Sequence, residues 1–138
     1  MQEFQAEIIE PVGDCAVIRV AGEVDAYTAP VLRQAMLDLA GKGVVHVIAD
    51  LSRVDFLDST GLGVLVGGLK RFREQGGSLA PVITKSGVLK VIQVTGLTSV
   101  LPPQPSVAEA IDADPHWRET VASAAGSTAE WCGRRDLT

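Results

Sequence analysis

The fold of this chain is decided by one stretch of sequence, Val54-Asp55-Phe56-Leu57-Asp58-Ser59-Thr60-Gly61-Leu62-Gly63-Val64-Leu65. An apolar step ends at Leu57, and Asp58 follows as a residue that can cap a helix by accepting hydrogen bonds from first-turn N–H groups. Ser59 and Thr60 then stand in the first turn, where backbone N–H groups are unpaired and the helix dipole is positive. The stretch predicts a helix N-terminus that displays two hydroxyl groups.

The predicted helix continues to Gln75 and is ended by Gly76-Gly77. Its apolar residues lie largely on one side, namely Leu62, Leu65, Val66, Leu69 and Phe72. Its glycines, Gly61, Gly63, Gly67 and Gly68, each lower helix propensity by about 1 kcal/mol relative to alanine. They are explained either by close packing against the sheet or by clearance for a partner near Ser59, and the sequence leaves both explanations open.

Around this helix, strand and helix patterns alternate up to residue 111. Strand patterns cover 7–9, 15–21, 44–49 and 78–84, with a brief last one at 100–101, whereas 50–57 is interpreted as a connection. Helix patterns begin at Thr28, Asp58, Ser86 and Ser106. Gly13-Asp14 predicts a hairpin turn between the first two strands. The chain is therefore an α/β protein with a compact mixed sheet of four to five strands, flanked by about four helices.

The composition changes at residue 112. We interpret 1–111 as one domain and 112–138 as a C-terminal tail that is partly disordered, because the tail is rich in small and polar residues without sustained periodicity. Trp117 and Trp131 stand alone in it. They are either weakly attached residues or docking points on the domain or on a partner.

Length and charge limit the classes of function. The 138 residues, 46% of them apolar, suit one globular domain with an appendage. The net charge is −5 and the twelve basic residues are scattered, so neither a nucleic-acid partner nor a membrane surface is expected. The polar, acidic start of the chain lacks the features of a secretory signal, and the apolar runs are short. We expect a cytoplasmic protein, and a monomer.

Several kinds of catalytic or cofactor site are disfavoured by spacing. Phosphate-binding and dinucleotide-binding loops fail because Leu69 separates Gly68 from Lys70, and Val66 stands where a third glycine is needed. A hydrolase based on Ser59 would need a histidine as general base. We interpret His46 as a hydrogen-bonded core residue of an apolar strand, and His116 belongs to the tail.

The two cysteines suggest neither a metal site nor a disulfide framework. Cys15 and Cys132 are 117 positions apart, with no Cys-x-x-Cys motif and no histidine close in sequence. Cys15 is expected to be a small buried residue in a strand. We therefore expect no metal, no cofactor and no catalytic residue.

The segment Asp58-Ser59-Thr60-Gly61-Leu62-Gly63, with Gly22-Glu23-Val24-Asp25 before it, resembles the STAS domain of bacterial anti-sigma factor antagonists. The resemblance covers roughly residues 5–111. It extends to Gly76-Gly77-Ser78-Leu79 after the long helix and to Val94-Thr95-Gly96-Leu97 after the next one. It implies a small sheet flanked by helices.

The resemblance also implies a function, partner switching without enzymatic activity. The unphosphorylated protein would bind an anti-sigma factor that is itself a serine kinase, and so release the sigma factor. Ser59 would be the phosphoacceptor, and a PP2C-type phosphatase would reverse the modification. The implied partner-binding residues are Asp25, Asp58, Ser59, Thr60, Gly61, Leu62 and Gly63.

The sequence departs from the family pattern at two points. Pro81 should make its strand irregular or place it at an edge of the sheet, because proline lacks a ladder N–H. The tail is longer than the compact domain requires.

Two other functions are left open by the sequence. The chain could instead be a ligand-sensing or scaffold STAS domain whose binding does not depend on phosphate at Ser59, or a small hydrolase that uses Ser59.

Overall fold

A mixed four-stranded sheet forms the centre of the molecule. The structure, a computed structural model, describes residues 3–137; Met1 and Gln2 of the predicted domain and Thr138 of the predicted tail lie outside the described residues. The strands lie side by side in chain order, with the first antiparallel to the second and the other neighbours parallel. They are β1 (Gln5–Ile8), β2 (Cys15–Val24), β3 (His46–Leu57) and β4 (Ser78–Val82). The predicted fold class is confirmed.

The part of the chain that the structure describes contains six helices, two more than predicted. They are α1 (Ala29–Gly41), α2 (Ser59–Glu74), α3 (Ser86–Val94), α4 (Val107–Asp112), α5 (Pro115–Ala125) and α6 (Thr128–Arg134). The brief strand predicted at 100–101 is wrong. Leu101 instead donates its N–H to the carbonyl of Leu97 in a turn, at 2.8 Å.

The two central strands are longer than the sequence indicated. The predicted connection over 50–57 is in fact the second half of β3, and β2 continues to Val24. Asp50 made this segment look like a loop, and its carboxylate accepts hydrogen bonds from both the N–H and the hydroxyl of Ser52. Because the pairing with β2 continues past this point, with irregularities near Arg19 and Gly22, the ladder keeps the segment extended.

Pro81 lies in β4, at an edge of the sheet, which confirms one of the two expectations for it. It stands opposite Ala49 of β3. On its other side no full strand follows, and Gln104 alone donates its N–H to the Pro81 carbonyl, at 2.9 Å. The missing N–H of proline therefore costs the sheet little at this position.

Both faces of the sheet are covered by helices. Successive residues of a strand point to opposite faces, so Ala16, Ile18 and Val20 join one core and Cys15 and Val17 join the other. The first core is completed by the apolar sides of α1, α2 and α3. The second core is completed by α4, α5 and α6. Each central strand is thus buried on both sides, as the continuous apolar run at 44–49 predicts.

The predicted tail, for which we expected partial disorder, contains the two helices α5 and α6. Asp114 caps α5 by accepting the N–H groups of His116 and Trp117, and Ser127 caps α6. Trp117 and Trp131 are each 1% exposed and meet edge to face, with ring centroids 5.8 Å apart. These two aromatic side chains supply the apolar area that short helices need.

Polar contacts hold the end of this two-helix segment against the sheet. The Arg19 guanidinium on β2 donates to the carbonyls of Arg135 and Asp136, both at 3.0 Å. The Arg135 guanidinium lies 4.4 Å from the centre of the Trp131 ring. We call α5, α6 and the residues up to Leu137 the C-terminal cap.

Between Glu3 and Leu137, no helix is both long enough and apolar enough to cross a membrane.

Trp117→Ala tests whether the cap is part of the folded core. Truncating a buried tryptophan typically lowers the free energy of unfolding by about 3–5 kcal/mol. We expect a loss of this order in denaturant unfolding followed by Trp131 fluorescence. Glu119→Ala, at an exposed position of the same helix, is the control and should change the value by less than about 0.5 kcal/mol. Equal, small effects of both substitutions would mean that the cap is not docked in solution.

Candidate functional site

The N-terminus of α2 is held by Asp58, as the sequence predicts. Asp58 has an extended backbone (φ −97°, ψ −175°), and its Oδ1 accepts the N–H of Gly61 at 3.0 Å. This is the usual geometry of an N-cap. The carboxylate is thereby fixed beside the first turn of the helix.

Ser59 and Thr60 are the first two residues of α2, and both are exposed. The Ser59 hydroxyl thus stands in solvent at the positive end of a helix, where an added anion is tolerated. The next two residues differ, because Gly61 and Leu62 are buried against the core. Of the residues implied as partner contacts, these two lie on the buried side of the helix.

The two explanations for the glycines of α2 both apply, to different residues. A Cβ on Gly61 would lie 2.6 Å from Leu57 Cδ1 and 2.7 Å from Val24 Cγ1, and one on Gly68 would collide with Met36. Close packing therefore requires Gly61, where the Val24 carbonyl oxygen would also lie 3.0 Å from the Cβ, whereas at Gly68 the flexible Met36 side chain would have to move. By contrast, a Cβ on Gly63 or Gly67 would meet no atom within 4 Å.

Gly63 and Gly67 line a groove of about 340 Å³ between α1 and α2. Thr60 lies at the same groove, and Arg33 and Arg71 contribute two guanidinium groups to its wall. Since the glycines add no side chains, another molecule can approach the backbone of α2 closely here. The groove is continuous with the hydroxyl-bearing first turn.

The pairing of β2 with β3 brings Asp25 close to the N-terminus of α2. Val24 stands opposite Leu57 in the parallel ladder, and the N–H of Asp58 donates to the Val24 carbonyl at 3.2 Å. Asp25 directly follows β2, and Asp58 directly follows β3. The structure thus brings together both aspartates that the sequence analysis singled out.

Asp25 caps the turn that leads into α1. Its Oδ1 accepts the N–H of Tyr27 at 2.9 Å and the N–H of Thr28 at 3.1 Å. The single proton of the Thr28 hydroxyl is shared between the Glu23 carbonyl at 2.7 Å and Asp25 Oδ1 at 3.2 Å. The hydrogen bond from the Thr28 backbone is the main cause that lowers the pKa of Asp25 below its usual value, and those from Tyr27 N–H and the Thr28 hydroxyl add to it. A carboxylate in this position is ionised at neutral pH.

Two exposed aromatic residues at this edge were missed by the sequence analysis as functional candidates. Tyr27 is 91% exposed in the turn after Asp25, and Phe56 is 49% exposed on β3, opposite Glu23. Large apolar side chains held in solvent beside a functional edge are typical of protein interfaces. Phe56 carried a signal, because it was the apolar residue that led into the helix. Tyr27 carried none.

The charge around Ser59 is mainly acidic. Two acidic residues lie near the ends of the strands, Glu23 in β2 and Asp55 in β3, and two directly follow them, Asp25 and Asp58. Of these, Asp55 forms an ion pair with Lys85. We call the exposed or half-exposed residues Glu23, Asp25, Tyr27, Phe56, Asp58, Ser59, Thr60 and Gly63 the Ser59 face. It combines two aromatic rings, the aliphatic hydroxyls of Ser59 and Thr60, and three carboxylates.

Paired alanine substitutions separate the two kinds of glycine. Gly61→Ala should lower the free energy of unfolding by about 1–3 kcal/mol, because the new methyl group overpacks a tight contact. Gly63→Ala should raise it by up to about 1 kcal/mol, because alanine favours the helix and the site is open. Denaturant unfolding monitored by circular dichroism measures both. A stabilising Gly61→Ala would contradict the packing assignment.

The capping role of Asp25 predicts a shift in its titration. Thr28→Val removes the hydroxyl donor and should move the pKa of Asp25 up toward its usual value, as measured by NMR titration of the carboxyl group. Thr28→Ser, which keeps the hydroxyl, is the matched control and should leave the pKa low. Because the folded pKa is depressed, this carboxylate contributes stability above its unfolded pKa, and that contribution is lost as the pH falls through the folded pKa. An unchanged pKa in Thr28→Val would rule out the contribution of the hydroxyl.

The comparisons with known proteins agree with this architecture. The family model described as "STAS domain" matches residues 4–110. The anti-sigma-B factor antagonist of Bacillus subtilis is 40% identical over 84 residues, which are 61% of this chain and 76% of that protein. The family match ends before the C-terminal cap begins.

Two solved structures show the same relation. An anti-sigma factor antagonist from Mycobacterium paratuberculosis superimposes with a TM-score of 0.72 and 28% identity, over 80% of this chain and 93% of that one. The phosphorylated form of the Bacillus cell fate determinant SpoIIAA gives a TM-score of 0.61 and 26% identity, over 80% of this chain and 98% of that one. With its sheet, its capped α2 and this match over 4–110, the chain belongs to the STAS domain family.

Proposed function

We propose that this protein is an anti-sigma factor antagonist that works by partner switching at Ser59. Its unphosphorylated form binds an anti-sigma factor with serine kinase activity and so releases the sigma factor. Phosphorylation of Ser59 blocks this binding, and a PP2C-type phosphatase restores it. The observation that carries the proposal is the exposed Ser59 hydroxyl on a capped helix N-terminus, beside a fixed carboxylate.

The relatives support the choice of partner. The Bacillus subtilis relative is named as an antagonist of an anti-sigma factor, and it shares 40% identity with this chain. The name of the SpoIIAA structure states that SpoIIAA exists in a phosphorylated form. The first name supports an antagonist of an anti-sigma factor, and the second supports control by phosphorylation.

The local electrostatics suit a switch at the interface. A phosphate on Ser59 would add a charge of about −1.5 to −2 at pH 7, and the N-terminus of α2 can accept it without loss of the fold. The same charge would face the fixed Asp58 carboxylate. Two like charges roughly 5 Å apart repel by about 3 kcal/mol at an effective dielectric constant of about 20, before screening by salt. When a partner covers the site, this repulsion opposes binding.

Half of that repulsion is enough for regulation, because about 1.4 kcal/mol corresponds to a tenfold change in affinity. The partner is expected to present basic groups to the carboxylates and apolar pockets to the aromatic rings of the Ser59 face. We assign direct contacts to Asp25, Asp58, Ser59, Thr60 and Gly63. Gly61 and Leu62 act by shaping the first turn.

The geometry argues against the hydrolase. His46 begins β3, whereas Ser59 follows the end of that strand, so the two are separated by about 35 Å at roughly 3.3 Å per residue. His116 stacks on His46 and is equally remote. Neither histidine can take the proton of the Ser59 hydroxyl.

The proposal is tested with Ser59→Ala and Ser59→Asp as baits in a lysate of the native host, together with wild type. We expect a small ATPase-type serine kinase to be retained by Ser59→Ala and at least tenfold less by Ser59→Asp, and wild type to carry phosphate on Ser59. Mass spectrometry measures both. The physical reason is the added negative charge at a contact surface.

Ser86→Asp is the matched control, because Ser86 is also an exposed first residue of a helix, α3. It should bind the kinase as wild type does. Circular dichroism of Ser59→Asp should be unchanged, since the switch does not unfold the domain. If all baits retain the same partners and Ser59 is never modified, the protein is a constitutive scaffold or sensor domain.

A further inference from the structure

Four side chains that can bind metal meet at the end of the sheet opposite Ser59. Asp14 belongs to the turn between β1 and β2, Cys15 begins β2, His46 begins β3, and His116 lies in the first turn of α5. This cluster could not be predicted from the sequence, because Cys15 and His116 are 101 positions apart. The docking of the C-terminal cap brings them together.

Three donor atoms of this cluster already lie close to one another. Asp14 Oδ1 is 2.7 Å from His116 Nε2 and 3.6 Å from Cys15 Sγ, and the donor atoms of all three residues lie within 4.8 Å of one another. In tetrahedral zinc sites, bonds of about 2.0–2.3 Å place neighbouring ligand atoms roughly 3.3–3.7 Å apart. Shifts of about an ångström would bring the three atoms to that geometry.

His46 lies beside this cluster but stacks on His116, with ring centroids 3.9 Å apart, so its ring would have to turn to add a fourth donor. Its Nδ1 is 3.0 Å from the Ser78 hydroxyl, and its Nε2 faces the other Asp14 oxygen at 3.9 Å. When Nδ1 carries the proton and donates it to Ser78, the Nε2 lone pair points toward the carboxylate. Two electron-pair donors then face each other, as they do around a cation. Metal-binding histidines are usually fixed in this way through their second nitrogen.

We propose that Asp14, Cys15 and His116 form a binding site for Zn²⁺ or a related transition-metal ion, with His46 as the fourth ligand. The combination of thiolate, imidazole and one carboxylate suits Zn²⁺ and Co²⁺. It does not suit Mg²⁺ or Ca²⁺, which prefer sets of oxygen atoms.

The burial of Cys15 fits a ligand better than a reactive thiol. Cys15 is fully buried, so its thiol is shielded from reagents in solution. A bound dication supplies the positive charge that a thiolate needs in this position. Coordination would form the metal–sulfur bond and release the thiol proton to solvent.

Metal binding would fasten the cap to the sheet. The ligands come from α5 on one side and from β2, β3 and the turn before β2 on the other, so one ion would join the two parts. The site lies about 35 Å along β3 from Ser59. It is independent of the proposed partner switch, and it would hold if that proposal failed.

The test is a titration of the full chain, first stripped with a chelator, with Co²⁺ and then with competing Zn²⁺. We expect one ion per chain, a charge-transfer absorption band from thiolate to cobalt, and displacement by Zn²⁺ but not by a large excess of Mg²⁺. The melting temperature should rise with the Zn²⁺ concentration, because the ion binds only the folded chain.

Variants assign the ligands. Cys15→Ser should abolish the charge-transfer band, and His116→Ala should weaken Co²⁺ binding at least tenfold; the His116 side chain is 44% exposed, so its removal leaves the core intact. Cys132→Ser removes the other cysteine and should leave the band and the affinity unchanged. Absence of a thiolate band in wild type, or binding that is equal in wild type and His116→Ala, would overturn the proposal.

Discussion

The parallel pairing of β2 with β3 determines which residues meet at each end of the sheet. Its register runs from Cys15 opposite His46 at one end to Val24 opposite Leu57 at the other. At the carboxyl ends, the pairing places Asp25 beside the cap of α2. At the amino ends, it places a thiol beside an imidazole. One ladder therefore positions the proposed partner switch and the proposed metal site at opposite ends of the same two strands.

Features that are determined locally could be predicted from the sequence. Asp58 caps α2 through its own carboxylate, and Gly13 adopts a positive φ of 58° in the hairpin turn, so both signals lie within a few residues of the structure that they determine. The length of β3 could not be predicted in this way. Its second half contains charged residues that suggest a loop, and only the ladder with β2 keeps them extended.

The roles of single residues in α2 could not be predicted from the sequence either, because they depend on which residues pack against the helix. Gly61 and Gly63 look alike in sequence, yet one packs against Val24 and Leu57 and the other borders an open groove. The same holds for the cap. Trp117 and Trp131 are fourteen positions apart on two short helices, and neither helix alone has enough apolar residues to reveal its buried side. Only the second face of the sheet completes their core.

That second face also has a meaning for the evolution of this chain. Val17 and Ile48 are fully buried in the core that the cap completes, whereas the family match ends at residue 110. Polar replacements at these two strand positions would have to be accepted together with changes in α5 and α6. Substitutions in the centre of the domain and in α5 and α6 are thus constrained by one shared core, which extends beyond the end of the family match.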